Sequence, residues 1–338
     1  MMTRSIRIWL LCTAALLLPA GPAALHAQDA ATEDSLNWVK VDTITPSAGS
    51  AFTVEKAVGV DRRYVPLIKR LEHDGWPADW VAARFADKRT VFIPKMTIVK
   101  PRTKTVSDKS AYLWVNTAES AEACKTFIAK YDKILSDAQA RYGVDRETIT
   151  ALLRCETRHG TVTGNYHVFS VYASMALMDH PTYLKQSIGR AKETLKDHKA
   201  SDGEIRTEVE WIRGRATSRS RWAYRELENL LKIDRQGLTD ALGIYGSWAG
   251  AFGWAQFLPS SYLLRAVDGD GDRKIDLFNP SDAIHSVANY LSKAGYRIGD
   301  DASRRRAIHN YNNSTAYVES IMGLAGRVKA SMPETAAQ

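Results

Sequence analysis

The chain has 338 residues, 45% of them hydrophobic and 25% charged, and a formal net charge of +8 at pH 7. That length can hold two modest domains, or one elaborated domain, around a full core. The charge suits anionic partners such as wall polymers or lipid head groups, but no Lys/Arg run exceeds Arg304-Arg305-Arg306, which speaks against nucleic acid.

Residues 1–27 read as a secretory signal. Arg4 and Arg7 precede an apolar stretch from Ile8 to Leu18, and small residues lead on to Leu25-His26-Ala27. Cleavage is expected after Ala27, with Ala24 as the alternative; loss of two arginines and no acid lowers the formal charge from +8 to +6. The apolar run breaks at Pro19 and Pro22, short of the ~20 residues a membrane span needs. Cys12 follows Leu10-Leu11, not the small residues of a lipoprotein signal. The expectation is a soluble, exported, periplasmic monomer with no transmembrane span.

Residues 28–54 read as a flexible lead and 55–116 as an N-terminal helical region. Asp61 caps a segment with Val65, Ile68 and Leu71, and Pro77 opens a helix bearing Trp80, Val81 and Phe85. Residues 91–99 look extended. A long helix is expected over 118–141, with Phe127, Ile128, Tyr131, Ile134, Leu135 and Ala138 on one face, followed by a second over 146–158 in a hairpin around Gly143. A rise of about 1.5 Å per residue then puts Cys124 ~28 Å and Cys155 ~18 Å from the turn. That offset is too large for a disulfide, so both read as buried free thiols.

Asp145 is a good N-cap for the second helix, and Ile149, Leu152 and Leu153 recur at the spacing of an apolar stripe. Glu156 continues that stripe, and Gly160 ends the helix. Burial disfavours the charged carboxylate and raises its pKa, which keeps an acid protonated near neutral pH for proton transfer. A small rotation of the helix would instead leave Glu156 solvated.

Residues 183–240 are helical in pattern and hold Lys185, Arg190, Lys192, Lys196, Lys199, Arg213, Arg215, Arg219 and Arg221. A solvated helical surface is favoured over a polymer-binding patch. The run 246–262 carries three glycines, two tryptophans and two phenylalanines around Gln256. In a helix each glycine would cost about 1 kcal/mol against alanine, so the small residues point to close backbone approach and the aromatic faces to stacking on sugars. β signals are confined to 91–99 and the 263–278 loop.

Several segments appear in one order: Val81-x-x-x-Phe85-x-Asp87-x-Arg89 and Phe92-Ile93-Pro94; Glu156-Thr157-Arg158-x-Gly160; Gly250-Ala-Phe-Gly-Trp-Ala-Gln-Phe-Leu-Pro-Ser-Ser-Tyr262; Asn279-Pro280-x-Asp282-Ala283-Ile284-x-Ser286-Val287-Ala288-Asn289-Tyr290; and Asn310-Tyr311-Asn312-Asn313-Ser314-x-x-Tyr317. From about residue 60 to about 325 the chain resembles the lytic murein transglycosylases, specifically the membrane-bound lytic transglycosylase B family.

The resemblance implies a mainly α fold. It has a lysozyme-like core over 117–326 with a helical insertion at about 190–222, a helical N-terminal elaboration, a small β/EF-hand-like appendage and a tail from 327. It implies cleavage of the peptidoglycan bond between N-acetylmuramic acid and N-acetylglucosamine, with Glu156 as sole acid and then base and no catalytic cofactor. Ser247 and Gln256 match polar groups near the acid, and Tyr290, Tyr311, Asn312 and Tyr317 match the sugar-contacting shell. Tyr290 and Tyr317 could equally be core. The family also uses an aromatic before its long helix; Tyr112 is nearest, but its spacing is off and it is left out.

Asp268-Gly-Asp270-Gly-Asp272-Arg-Lys274-Ile275-Asp276 resembles the start of an EF-hand loop, with Arg273 in place of the sixth-position glycine and Asn279 where a bidentate Glu belongs. Some family members use a lengthened loop closed by a later acid, which implies structural calcium on Asp268, Asp270, Asp272, the Lys274 carbonyl and Asp282. The alternative is an Asp/Gly turn without metal. Two rivals to the enzyme reading stand: a water-using muramidase and a non-catalytic wall-binding scaffold.

Overall fold

The computed structural model describes residues 58–102 and 112–332. The expected signal segment, the lead at 28–54 and residues 333–338 lie outside the described residues. The helices are α1 (Val65–His73), α2 (Ala78–Ala86), α3 (Ala118–Lys130), α4 (Asp132–Tyr142), α5 (Arg146–Thr157), α6 (Val168–Met175), α7 (Pro181–Asp197), α8 (Asp202–Arg235), α9 (Pro259–Arg265), α10 (Pro280–Lys293), α11 (Asp301–Tyr311) and α12 (Thr315–Ser331). Strands β1 (Tyr166–His167) and β2 (Tyr245–Gly246) pair antiparallel, Tyr166 opposite Gly246 and His167 opposite Tyr245. The fold is mainly α.

The described residues form two compact units that do not follow chain order. One holds residues 112–168 and 229–332, the other 58–102 and 169–228. The segment 190–222, expected as an insertion in the core, thus groups with residues 58–102. Helix α12 runs to Ser331, past the expected core boundary at 326.

In the first unit α5 is central. Thr148 to Leu153, Cys155 and Thr157 are all buried, and α12 and α3 pack against this helix. Ile149, Leu152 and Leu153 have no exposure, each contributing roughly 1.5–3 kcal/mol of burial. Asp145 occupies the N-cap position of α5, but its side chain caps nothing. Tyr296 Oη donates to Asp145 Oδ2 at 2.7 Å and Arg304 Nε stands 3.7 Å away, so the carboxylate ties the start of α5 to the α10–α11 connection.

The helix expected over 118–141 is two helices, broken at Tyr131 (φ −115°, ψ 26°). The break lets the Tyr131 ring meet Phe127, 4.7 Å between centroids, and Trp254 at 6.2 Å. Gly143 closes α4 in the left-handed conformation. Cys124 and Cys155 are both buried, and neither is in a disulfide.

In the second unit Tyr64 and Phe169 pack against Phe85, each with centroids 5.1 Å away. Residues 91–99 form no strand, against expectation. Val91 N donates to Ser170 Oγ, Ile93 N to Ser174 Oγ and Val99 N to Ser187 Oγ, at 2.9, 3.0 and 3.1 Å. Serine hydroxyls on helices thus take the donors a β-ladder would use, and Pro94 opens a 3₁₀ turn, Pro94–Thr97. The 263–278 segment likewise holds the end of α9 and a loop, with no strand. No described helix is long and apolar enough to cross a membrane.

Candidate active site

Helix α5 ends one residue after Glu156, in a turn of three left-handed residues: Arg158 (φ 51°), His159 (φ 59°) and Gly160 (φ 83°). Two non-glycine residues there cost about 1–3 kcal/mol each, so neighbouring packing must impose the turn. A Cβ on Gly160 would lie 2.0 Å from the Trp254 ring, so only glycine fits. Buried Thr157 closes the turn: its Oγ1 accepts from Gly160 N and donates to Trp254 O, both at 2.9 Å. The His159 ring stacks on Phe127 with centroids 4.2 Å apart. Burial lowers the His159 pKa to about 4, so the ring is neutral near pH 7 and its Nε2–H donates to Thr150 O at 3.1 Å.

Glu156 is partly exposed, and its Oε1 accepts a hydrogen bond from Tyr317 Oη at 2.6 Å. Burial pushes its carboxyl from 4.5 up to about 7, with the Tyr317 hydrogen bond pulling the other way. Among the described residues no second carboxylate acts on it. Tyr317 is buried, and the Tyr112 ring meets it edge-on at 5.5 Å. Tyr112 therefore belongs behind the acid. The aromatic before α3 was its signal, and irregular spacing hid it.

Tyr311 also stands in the electrostatic neighbourhood of Glu156: burial and then the Glu156 charge raise its pKa. Its hydroxyl donates to Ala255 O. Tyr290 lies against Tyr311 with centroids 4.7 Å apart, donates to Asn310 O at 2.8 Å, and shares Phe257 with it.

The remaining candidates serve the loop around them. Gln256 adopts φ 48°, and its Nε2 donates to Thr163 O and Gly253 O at 3.1 and 2.9 Å. Ser247 is buried, with Oγ accepting from Ala251 N at 3.1 Å in the turn that Gly246 permits; a Cβ on Gly246 would lie 2.2 Å from Ala251 O. Asn312 caps α11, its N–H donating to Ile308 O. The loop aromatics are not a free stacking surface as expected. Phe252 and Phe257 are each 2% exposed, and Trp254 packs on Gly160, which leaves Trp248 half-exposed.

The acidic loop lies apart in chemistry. Ligand oxygens of Asp268, Asp270 and Asp282 fall within 4.8 Å of one another. Asp282 is buried at the start of α10 and accepts from Gly269 N and Asp276 N at 2.7 and 2.6 Å. Burial holds its carboxyl above the usual range, against those hydrogen bonds, with the charges of Asp270 and Asp268 adding to it. Asp272 is not in the converging trio; its Oδ1 accepts from Lys274 N at 2.7 Å. Arg273 has φ 70° at the position where a standard loop has glycine. Asp276 turns to Phe278 N at 2.9 Å. Three converging carboxylates, one of them buried, fit a hard cation.

The family model for the transglycosylase SLT domain matches residues 60–305. The membrane-bound lytic murein transglycosylase B of Escherichia coli (strain K12) is 31% identical over 187 residues, 55% of this chain and 42% of that protein. The chain thus spans less than half the length of that curated relative. The E. coli lytic transglycosylase SLT35 in complex with bulgecin A superposes with a TM-score of 0.58 at 21% identity, covering 80% of this chain and 94% of that one. The same enzyme in complex with calcium gives 0.58 at 20% identity, with the same coverage. The soluble lytic transglycosylase SltB1 of Pseudomonas aeruginosa gives 0.60 at 20%, covering 80% and 99%. These likenesses make the fold lysozyme-like.

Proposed function

Because this chain belongs to the transglycosylase SLT domain family, we propose that it is a lytic murein transglycosylase of the cell envelope, with Glu156 as its single acid and base. The observation that carries the reading is the Glu156 carboxyl, pushed to about 7 by burial and held by Tyr317, with no second carboxylate among the described residues acting on it. A group with that pKa gives and takes a proton within one turnover at neutral pH.

Protonated Glu156 donates to the glycosidic oxygen between N-acetylmuramic acid and N-acetylglucosamine, and the C1–O bond breaks. The 2-acetamido group of the muramyl residue stabilises the positive charge at C1. The Glu156 carboxylate then removes the proton of the muramyl C6 hydroxyl, whose oxygen bonds to C1 to leave a 1,6-anhydro end. Tyr317 orients the carboxyl. Tyr311, Tyr290 and Asn312 line the sugar path, while Gln256 and Ser247 hold the loop that faces the acid.

Calcium, when bound by Asp268, Asp270, Asp282 and the Lys274 carbonyl, with Asp272 as a further oxygen donor, would stabilise the loop and take no part in proton transfer. Export through the signal segment would bring the enzyme to peptidoglycan as a monomer. Mass spectrometry of purified peptidoglycan digested by the full chain tests the reading. Products ending in 1,6-anhydro-muramic acid support it; reducing ends, one water heavier, make the protein a muramidase. Undigested peptidoglycan bound by folded protein makes it a scaffold.

A further inference from the structure

The bases on α7 are exposed, as a solvated surface requires, yet they are sorted by face. At 3.6 residues per turn Lys185, Lys192 and Lys196 fall within about 40° of one another round the helix, and all three are exposed. The opposite side is the packed one. Ser187 and Ala191 are buried, Ser187 Oγ accepts from Val99 N at 3.1 Å, and the Tyr183 ring lies 5.6 Å from that of Phe92. Those contacts fix the rotation of α7, so the three lysines stand on the surface of the second unit along a line about 16 Å long.

The stripe carries no counter-charge. On α3, α4 and α11, Lys125, Arg141 and Arg305 each pair with an acid three or four residues before: Glu122, Asp137 and Asp301. On α7, Pro181 and Thr182 hold those positions before Lys185, and Ile188 and Gly189 hold them before Lys192. Lys196 has Lys192 four residues before it, a like charge that repels, and Glu193 three before. Glu193 and Asp197 stand one residue on from Lys192 and Lys196, about 100° round the helix, and none of the three lysines makes an ion pair with the described residues. The helix dipole favours Lys196, in the last turn, but gives no support to Lys185 and Lys192. A row of unpaired cations is relieved by a partner that brings several anions in a row.

We propose that Lys185, Lys192 and Lys196 form a contact surface for peptidoglycan, held by the carboxylates of its peptide side chains. The choice of partner rests on the transglycosylase reading, which makes peptidoglycan the polymer the chain works on. Charge complementarity carries it. The carboxylates recur along a strand on flexible peptides, and lysine is a compact charge on a flexible stem that follows a moving anion; a fixed carboxylate would suit the fork of arginine. Several weak contacts on one polymer add through effective concentration, so the stripe keeps a strand near the enzyme between turnovers.

Full-length Glu156→Gln serves as the binding form, since it leaves the polymer uncut. Its co-sedimentation with purified peptidoglycan should fall as salt rises from about 0.05 to 0.5 M, because screening shortens the reach of exposed charges. Adding Lys185→Gln, Lys192→Gln and Lys196→Gln should weaken binding at low salt roughly tenfold, and the same three changed to arginine should restore it. Amidating the peptidoglycan carboxyls should weaken Glu156→Gln to a similar extent and leave the glutamine triple little changed. In the wild-type background the glutamine triple should raise KM on the polymer and leave kcat unchanged. Binding that the glutamine triple leaves unchanged overturns the surface, even where the wild type cuts peptidoglycan. Peptidoglycan that is bound through the lysines and never cut by the wild type leaves the surface standing and overturns the transglycosylase reading instead. If the triple loses only binding to phosphatidylglycerol vesicles, the stripe belongs to a bilayer and the proposal falls.

Discussion

Glu156 and Asp282 are both carboxyls raised above their usual range by burial, in helices of the same unit, and their surroundings differ in one respect. Among the described residues Glu156 stands alone: its hydrogen bond comes from a tyrosine and no other acid acts on it. Asp282 stands in company, with Asp268 and Asp270 oxygens within 4.8 Å and two backbone N–H groups donating to it. An isolated buried acid can resolve its cost only by holding a proton, which makes it a proton donor. A crowded one can also resolve it by sharing a cation. Burial raises the pKa in both places; the number of neighbouring charges decides what the carboxyl is for.

The largest effect expected from this contrast is on turnover. Glu156→Gln keeps the shape and removes both proton steps, so release of anhydro-muropeptides should fall by roughly 10²–10⁴-fold or more, with the fold intact by circular dichroism. Retention of a tenth of the wild-type rate would show that some other group carries the proton.

The same substitution tests isolation through stability. The folded chain keeps a proton on Glu156 that the unfolded chain releases, between pH 4.5 and about 7. Wild-type stability should therefore fall as pH rises through that window, the cost being absent below it and complete above it. Glu156→Gln removes this cost, so its gain in stability over wild type should be small at pH 4 and as much as about 3 kcal/mol at pH 8. Equal denaturant midpoints for the two proteins at pH 8 would mean that Glu156 is well solvated.

Much of this contrast was legible in the sequence. The spacing of Ile149, Leu152, Leu153 and Glu156 set the acid on a buried stripe, because helical periodicity is local. The alternation of Asp268, Asp270 and Asp272 with a later Asp282 marked the loop, although Asp272 turned aside to Lys274 N. What spacing could not reveal were long-range choices: Tyr296 drawing Asp145 away from its cap, the serine hydroxyls replacing a strand at 91–99, the helix break at Tyr131, and Tyr112 behind Tyr317. In each a side chain distant in sequence competes with a local rule, and the local rule loses. Of the nine basic residues singled out over 183–240, seven are exposed as expected, and only packing reveals that Arg215 and Arg219 are partly buried.

Tyr317→Phe should sharpen the isolation further, with a smaller loss. Its hydroxyl stabilises the ionised form of Glu156, so removal should raise the carboxyl above its present value and move the alkaline limb of the pH–rate profile upward. Hydrogen bonds to charged groups are worth about 1.5–3 kcal/mol, which sets a rate loss of roughly 10- to 150-fold. A loss of rate with an unmoved pH profile would assign Tyr317 to packing alone.

The smallest effect is expected in the loop. Calcium that binds only the folded chain stabilises it by RT ln(1 + [L]/Kd), about 1.4 kcal/mol at ten times Kd, so Tm should climb with calcium while kcat stays constant. Magnesium should substitute poorly, because flexible carboxylates and carbonyls suit a large cation better than a strict octahedron. Asp282→Ala should erase the response, since it removes the buried member of the converging trio. Asp276→Ala should preserve most of it, because that carboxylate caps Phe278 N and lies outside the trio. The two substitutions together separate a cation site from a self-sufficient turn. In such a turn the backbone N–H groups already satisfy every acid, both variants would lower Tm alike, and neither calcium nor a chelator would move the melting curve of the wild type.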